Sequence, residues 1–351
     1  MSKFLSKKYK GLTPYTPGEQ PRDNVFIKLN TNESPFPPSP KAIKAAVAAA
    51  EKVNLYSDPA CTDLIKAVAA AFEVPENCIV CSNGSDEVLS WAFTAFCEDG
   101  RAGIFPDVTY GFYPVFAAQS GVPYKVIPLK EDLTVDVDRM KTENGTLFIA
   151  NPNAPTGIAL PADVIEDIVR SRPDRIVVVD EAYVDFGAQS VVPLIKKYDN
   201  LLVTQTFSKS RSMAGARLGL GFGCQELIRD LNTIRNSINP YNVGAVAQAM
   251  GIGALADAAY TEDNIREIID NRAYTVSALR ALGFELTDSL ANFVFAHHPD
   301  VGGEEIYRKL REKGILVRHF SAPERIRDYN RITVGSIGQM KALVKALAEI
   351  L

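Results

Sequence analysis

The chain has 351 residues, 46% hydrophobic and 23% charged, the balance of a globular protein with room for one large and one small domain. A net charge of −4 excludes non-specific nucleic-acid binding, which needs a basic face. No apolar run reaches the roughly 18 residues of a membrane helix, and Met1–Lys8 has no signal-peptide core. Five cysteines (Cys61, Cys78, Cys81, Cys97, Cys224) fit a reducing compartment, so the expectation is a cytoplasmic protein. Cys78 and Cys81 are spaced like half a zinc site. No second pair exists and both lie in an apolar run, which predicts inert packing and no metal.

Residues 1–40 are predicted to form an extended arm packing with the small domain, because prolines at 14, 17, 21, 35, 37, 38 and 40 forbid a regular helix. Helices are predicted over Lys41–Val53 and Thr62–Phe72. Strands and helices then alternate: strand Cys78–Ser82, a helix opened by Asn83-Gly-Ser-Asp-Glu87, strand Arg101–Phe105, helix Tyr110–Ser120, and strands Tyr124–Pro128 and Thr146–Ala150. Helix Ala162–Arg170 and strands Arg175–Asp180, Leu201–Gln205 and Leu218–Phe222 follow. Fully apolar strands with helices between them predict an α/β fold, a mostly parallel sheet covered on both faces. Beyond Asn239-Pro240 the pattern changes. Two long helices (Asn242–Asp257, Thr261–Leu282), strands Phe293–Ala296, Ile315–Arg318 and Asn330–Val334, and helices Glu304–Lys313 and Ile337–Ile350 predict a smaller α+β domain. The expected division is 1–40, 41–245 and 246–351.

Ligands in open α/β sheets bind outside the carboxyl ends of the strands, and several polar features fall there. Asn83-Gly-Ser85 joins strand to helix and offers backbone N–H groups to an anion, though alone it is also an ordinary helix cap. Asp180 ends the most strand-like run, where a carboxylate is costly unless paired. Tyr183 follows it. Asn151-Pro-Asn-Ala-Pro-Thr-Gly157 is a fixed irregular loop. Lys209 stands between two buried strands, where partial desolvation favours the neutral, nucleophilic amine. Arg217 comes eight residues later.

Taken together, these features resemble the pyridoxal-phosphate enzymes of the aspartate-aminotransferase fold, and within them the histidinol-phosphate aminotransferase family. The motifs are Leu29-Asn-Thr-Asn-Glu-Ser-Pro-Phe-Pro-Pro-Ser-Pro40, Asn83–Glu87, Asn151–Gly157, Val179-Asp-Glu-Ala-Tyr-Val-Asp-Phe186, Thr206-Phe-Ser-Lys209, Gly314–Arg318 and Arg331–Gly335, in the family's order. The resemblance implies that Lys209 bonds the cofactor's aldehyde carbon and then carries the proton at the substrate's α-carbon. It gives Asp180 the pyridine nitrogen, Tyr183 the ring oxygen and Tyr110 the ring face. Gly84, Ser85, Thr206, Ser208 and Arg217 would hold the phosphate, and Asp86 is expected among the cofactor-binding residues. Tyr56 would reach the neighbouring subunit's site, making the enzyme a homodimer. Tyr15, Arg318 and Arg331 would bind the substrate, histidinol phosphate, whose phosphate replaces the carboxylate of an ordinary amino acid.

The chain departs from the family pattern in three places. Ala154 replaces an Asn that bonds the ring oxygen, leaving Tyr183 alone or with Asn153 or Asn151. Ser210-Arg-Ser-Met213 replaces a commoner Ala-Phe-Gly-Leu, and Ser34 replaces an Asn after Glu33. Three other functions share these motifs: a threonine-phosphate decarboxylase, an aromatic aminotransferase, and a cofactor-binding regulator, which would need an added DNA-binding domain. The sequence does not separate transamination from decarboxylation.

Overall fold

A computed structural model describes residues 2–21 and 26–351; Met1 and 22–25 of the expected arm lie outside it. The strands are β1 (Ile27–Lys28), β2 (Ile79–Ser82), β3 (Gly103–Pro106), β4 (Tyr124–Ile127), β5 (Thr146–Ala150), β6 (Val177–Asp180), β7 (Leu201–Thr206), β8 (Gly219–Phe222), β9 (Glu285–Leu286), β10 (Phe293–His297), β11 (Ile315–Leu316), β12 (Arg318–His319) and β13 (Asn330–Thr333). The helices are α1 (Pro40–Ala50), α2 (Thr62–Phe72), α3 (Ser85–Phe96), α4 (Tyr113–Ser120), α5 (Val137–Thr142), α6 (Ala162–Ser171), α7 (Gln225–Ile238), α8 (Ala245–Leu255), α9 (Ala258–Ala281), α10 (Gly303–Glu312) and α11 (Ile337–Ala348).

Seven strands form the central sheet in the order β2-β8-β7-β6-β5-β3-β4. All are parallel except β8, which runs antiparallel to both β2 and β7. The fold is therefore α/β with a mostly parallel sheet, as the apolar strands require. Strand alternation feeds two cores. Val177 and Val179 of β6 enter one, with Leu64 and Val68 of α2 and Ile165 and Ile168 of α6. Val178 enters the other, with Trp91 and Phe93 of α3 and Leu231 of α7. Each fully buried side chain of this kind contributes roughly 1.5–3 kcal/mol of transfer free energy, so both faces of β6 hold it rigidly beneath Asp180.

A second, antiparallel sheet of order β12-β13-β10-β9 forms in the C-terminal part, with α9, α10 and α11 supplying its core partners Ile268, Ile306 and Leu343. β1 of the arm pairs parallel with β11. α8 packs against α1 and α2.

Helices α5 and α7 and strands β1 and β9 have no counterpart among the expected elements, and three further segments differ from expectation. The single strand expected over Ile315–Arg318 divides at Val317: β11 pairs with β1, whereas β12 pairs with β13 in another sheet. An apolar run reports burial but carries no pairing information. Arg175 precedes β6 and is buried, its guanidinium donating to the carbonyl oxygens of Met140 (2.9 Å) and Glu143 (2.6 Å). The α4 helix starts at Tyr113 rather than Tyr110, which leaves Tyr110 on the loop that enters the site.

Candidate active site

Because β8 runs antiparallel, its first residues come to the same edge as the carboxyl ends of β2 and β7. Gly219 stands in register between Ser82 and Thr206. A Cβ on Gly219 would lie 2.4 Å from the carbonyl carbon of Gly84 and the nitrogen of Ser85, so only glycine lets the β2–α3 turn settle here. The turn itself is left-handed at Gly84 (φ 78), and α3 begins at once, presenting its unpaired first-turn N–H groups outward. Facing them are the hydroxyls of Thr206 and Ser208, 3.0 Å apart, and Arg217, whose Nη1 donates to Ser208 Oγ (3.4 Å). These donors suit a dianionic phosphate. Asp86 is an acceptor within this group: Oδ2 takes a bond from Arg217 Nη2 (3.2 Å) and Oδ1 from the Tyr110 hydroxyl (2.7 Å). It fixes those two side chains, and only its backbone N–H can face an anion. A Cβ on Gly84 would lie 2.5 Å from Arg217 Nη2. Gly84→Ala is therefore expected to weaken phosphate-group binding at least about tenfold, the equivalent of one charge-assisted hydrogen bond, measured by equilibrium titration of the cofactor.

Asp180 ends β6, buried, with its Oδ2 accepting from the Tyr113 hydroxyl (3.2 Å) and its Oδ1 from Ala182 N–H (3.2 Å). Burial pushes its carboxyl up to about 7, aided by the nearby charge of Asp86 and opposed by those two donors and by Lys209. Among the described residues it makes no ion pair. A buried carboxylate that borders a cavity and has no ion-pair partner of its own suits a cation brought by a ligand. Glu181 beside it is also buried and pushed up to about 7 by desolvation, but Ser190 Oγ (2.6 Å), Val191 N–H (2.6 Å) and Gln205 Nε2 (2.8 Å) occupy it.

Lys209 follows β7 in a tight turn, with Phe207 N–H bonded to Leu218 O and Met213 N–H to Phe207 O. Its Nζ donates to Thr31 O (3.2 Å) and lies 5.6 Å from the centre of the Tyr183 ring. Three successive residues of the arm thus hold three functional groups. Asn30 O accepts from Arg331 Nη2 (3.0 Å), Thr31 O from Lys209, and Asn32 Nδ2 donates to the Tyr183 hydroxyl (3.0 Å). The arm acquires this precision because Leu29 continues the β1 pairing: its N–H bonds Leu316 O and its C=O accepts from Thr333 N–H.

Arg331, on β13, is half-buried. Desolvation and the Arg318 charge lower its guanidinium from the usual range, and its Nε has no partner. Arg331 and Arg318 both lie over the Phe320 ring, at 5.8 and 5.7 Å. Neither makes an ion pair among the described residues. Arg318 donates only to Thr16 O (3.3 Å). Tyr15 stacks on Phe112 at 4.2 Å. One cavity is lined by Tyr15, Ser85, Asp86, Tyr110, Asp180, Tyr183, Thr206, Ser208, Lys209, Arg217, Arg318 and Arg331. Two guanidiniums without acids at one end, and a donor cradle at the other, make it a site for a small molecule with anionic ends.

The model of the class I and II aminotransferases matches residues 24–347. The chain belongs to that family. The histidinol-phosphate aminotransferase 1 of Bradyrhizobium diazoefficiens is 46% identical over 351 residues, the full length of both chains. A histidinol-phosphate aminotransferase of a Marinomonas strain is 47% identical over 353 residues, again with complete coverage of both. The crystal structure of histidinol-phosphate aminotransferase from Sinorhizobium meliloti in complex with pyridoxal-5'-phosphate superposes with a TM-score of 0.88 at 22% identity, covering 100% of this chain and 98% of that one. L-threonine-O-3-phosphate decarboxylase from Porphyromonas gingivalis superposes at 0.81 with 22% identity, covering 92% and 98%. The fold is common to both activities.

Asn153, expected at this aminotransferase's site, lies outside the cavity. Asn153 is buried in its loop, Nδ2 donating to Val108 O (3.0 Å) and Thr156 Oγ1 (3.1 Å), and Oδ1 accepting from Thr109 (2.7 Å). Its amide is fully used, and the cavity wall at this loop is Ala154. Asn151 likewise spends its amide on Leu160. Tyr56 is 84% exposed and stacked on Tyr241 (4.6 Å), on the surface of its own chain. The two other departures from the family pattern meet each other: Ser212 Oγ bonds Ser34 Oγ (2.8 Å). Ser210 and Arg211 both bond Asp185, tying the lysine turn to the loop after Asp180. Asn30 to Asn32, Tyr113 and Phe320 carry parts of the site that residue chemistry alone did not single out. The only sequence signal for the first three was their place in a quoted motif.

Proposed function

We propose that this aminotransferase uses pyridoxal 5′-phosphate to exchange an amino group between L-histidinol phosphate and 2-oxoglutarate, forming imidazole-acetol phosphate and glutamate in histidine biosynthesis. The donor cradle at Gly84, Ser85, Thr206, Ser208 and Arg217, the unpaired buried Asp180 and the amine of Lys209 fit the cofactor's phosphate, ring nitrogen and aldehyde. When bound, the cofactor supplies the aldehyde that takes the amino group and a ring that accepts electron density from the substrate's α-carbon.

Asp180, ionised, would keep a proton on the ring nitrogen, and its own rigidity comes from the two-sided packing of β6. Tyr113 and Ala182 orient its carboxylate. Tyr183 would donate toward the ring oxygen. Tyr110, pinned by Asp86, would cover the ring. Lys209, once its amine is free, would take the proton from the substrate's α-carbon as general base, and Thr31 O is a resting acceptor for that amine. Arg331 and Arg318 bind the substrate's phosphate in one half-reaction and the glutamate carboxylate in the other. Tyr15 and the arm exclude water at that end. In a homodimer, Tyr56 of the partner subunit would add a hydroxyl to the cofactor phosphate. Among the described residues no helix is long and apolar enough to cross a membrane, and a cytoplasmic setting follows from the chemistry of a biosynthetic enzyme with five free cysteines.

The observation that carries the substrate is the pair Arg318 and Arg331, two cations without acids at the substrate end. A monocarboxylate satisfies one guanidinium; a phosphate dianion satisfies both. Purified enzyme mixed with histidinol phosphate alone should show the cofactor absorbance passing from the aldehyde to the amine form, with no gas evolved. Conversion by phenylalanine only, or CO2 release from threonine phosphate, would reject the proposal. Arg318→Ala is expected to raise KM for histidinol phosphate about 10- to 100-fold, one charge-assisted interaction, while changing phenylalanine turnover by less than about threefold in the same steady-state assay.

A further inference from the structure

Asn32 stands between the small sheet and the phenol of Tyr183. It is buried, 1% exposed, with a left-handed backbone (φ 56). Its N–H donates to Thr333 Oγ1 (2.9 Å), and that hydroxyl in turn donates its single proton to Asn32 Oδ1 (3.1 Å). Its carbonyl accepts from Asn292 Nδ2 (3.0 Å). With Oδ1 engaged by Thr333, the amide's NH2 end is the one that faces Tyr183, donating to the phenol oxygen at 3.0 Å. A phenol that accepts on one side keeps its own proton for the other side, where the cavity lies. Turned over, the same amide would draw that proton inward. Hydrogen bonds in such a chain polarise one another, so the accepted bond strengthens the one Tyr183 gives. At this end of the cavity Ala154 offers no polar group.

We infer that Asn32 is a positioning residue: it fixes Tyr183 as a donor into the cavity, and through Thr333 and Asn292 it ties that donation to the place of the small sheet. The inference rests on the proposed function, in which Tyr183 serves the cofactor's ring oxygen. Charged groups near the phenol are Lys209, Arg331 and Asp180, and the variants below leave all three in place.

The test is a spectrophotometric pH titration of the bound cofactor in the holoenzyme, comparing wild type with Asn32→Gly, Asn32→Asp and Tyr183→Phe. Glycine accepts the left-handed backbone without strain and removes the donor without adding charge. Aspartate keeps the shape but only accepts, so it captures the phenol's proton. A donor at the ring oxygen favours the deprotonated form of the bound cofactor, so losing it should raise the absorbance midpoint. Tyr183→Phe should do so, and Asn32→Gly should follow by about half to one pH unit, the size of one hydrogen bond, with Asn32→Asp shifting at least as far. A purely structural Asn32 would lower the melting temperature and cofactor occupancy with no change in midpoint. An Asn32→Gly midpoint at the wild-type value, beside a shifted Tyr183→Phe, overturns the inference alone. An unshifted Tyr183→Phe removes the role of Tyr183 in the proposed function, and the inference with it.

Discussion

Replacing Lys209 by alanine is expected to lower kcat for amino transfer by at least about 10⁴-fold while leaving the melting temperature of the cofactor-free protein nearly unchanged. The loss combines two functions. A positioned proton carrier contributes about 10²–10⁴-fold, and the amine is also the nucleophile proposed to bond the cofactor's aldehyde carbon. The structural cost is small because the side chain makes one hydrogen bond, to Thr31 O, and one contact with the face of the Tyr183 ring. The turn that carries it is held by backbone bonds of Phe207 and Met213 and by Ser210 and Arg211 on Asp185, none of which involves the lysine side chain. Lys209→Arg separates charge from chemistry. It keeps a cation near Thr31 O but cannot attack a carbonyl, and should be as inactive as alanine. Single-turnover absorbance with saturating amino donor measures both. Turnover by either variant within about tenfold of wild type would remove Lys209 from the chemistry.

Where the sequence located the site, it did so through strand ends. β6 runs Val177-Val-Val179 before Asp180, and β7 opens on Leu201-Leu-Val203 before turning polar at Thr204, so the polar residues that follow, Asp180 and Thr206 to Lys209, fall towards the sheet's edge. The register of β8 was not legible in the same way. An antiparallel strand in a parallel sheet carries no compositional mark, yet its direction is what brings Arg217 to the ends of β2 and β7 and requires glycine at 219. The segment Asn30–Asn32 illustrates a second limit. Two of its three contacts are made by carbonyl oxygens, which every residue possesses, so no side-chain pattern reports them. Asn153 shows the converse: a polar side chain in a site motif whose donors and acceptor are consumed within its own loop. The helix α7, with Leu227, Ile228 and Leu231 turned to the core, carries an amphipathic spacing that does signal a helix, although it is not among the expected elements.

Asp180→Asn is expected to separate stability from activity. In the cofactor-free protein, the Asp180 carboxyl is raised to about 7 by burial and by Asp86, against an unfolded value of about 3.9. The folded state therefore binds the proton more tightly. Its stabilising effect is complete at low pH and is lost as pH rises from about 4 to about 7, because above that range a charged carboxylate is held in the interior. Glu181 contributes a parallel loss, since it too is raised to about 7, and the substitution leaves it untouched. Asparagine keeps one acceptor, its Oδ1 for Ala182 N–H, turns its NH2 as a donor toward the Tyr113 oxygen, and carries no charge. The variant without cofactor should consequently match wild type near pH 5 and exceed it at pH 8 by on the order of 2 kcal/mol, read as melting temperature against pH. With cofactor the order reverses. The ring nitrogen loses the anion that keeps it protonated, and kcat/KM should fall at least about 10²-fold, the scale of a fixed electrostatic group in a water-excluded site. Loss of activity without the alkaline gain in stability would mean that Asp180 is not held charged at a cost in the empty cavity. A gain in stability with activity intact would mean that the cofactor does not depend on it.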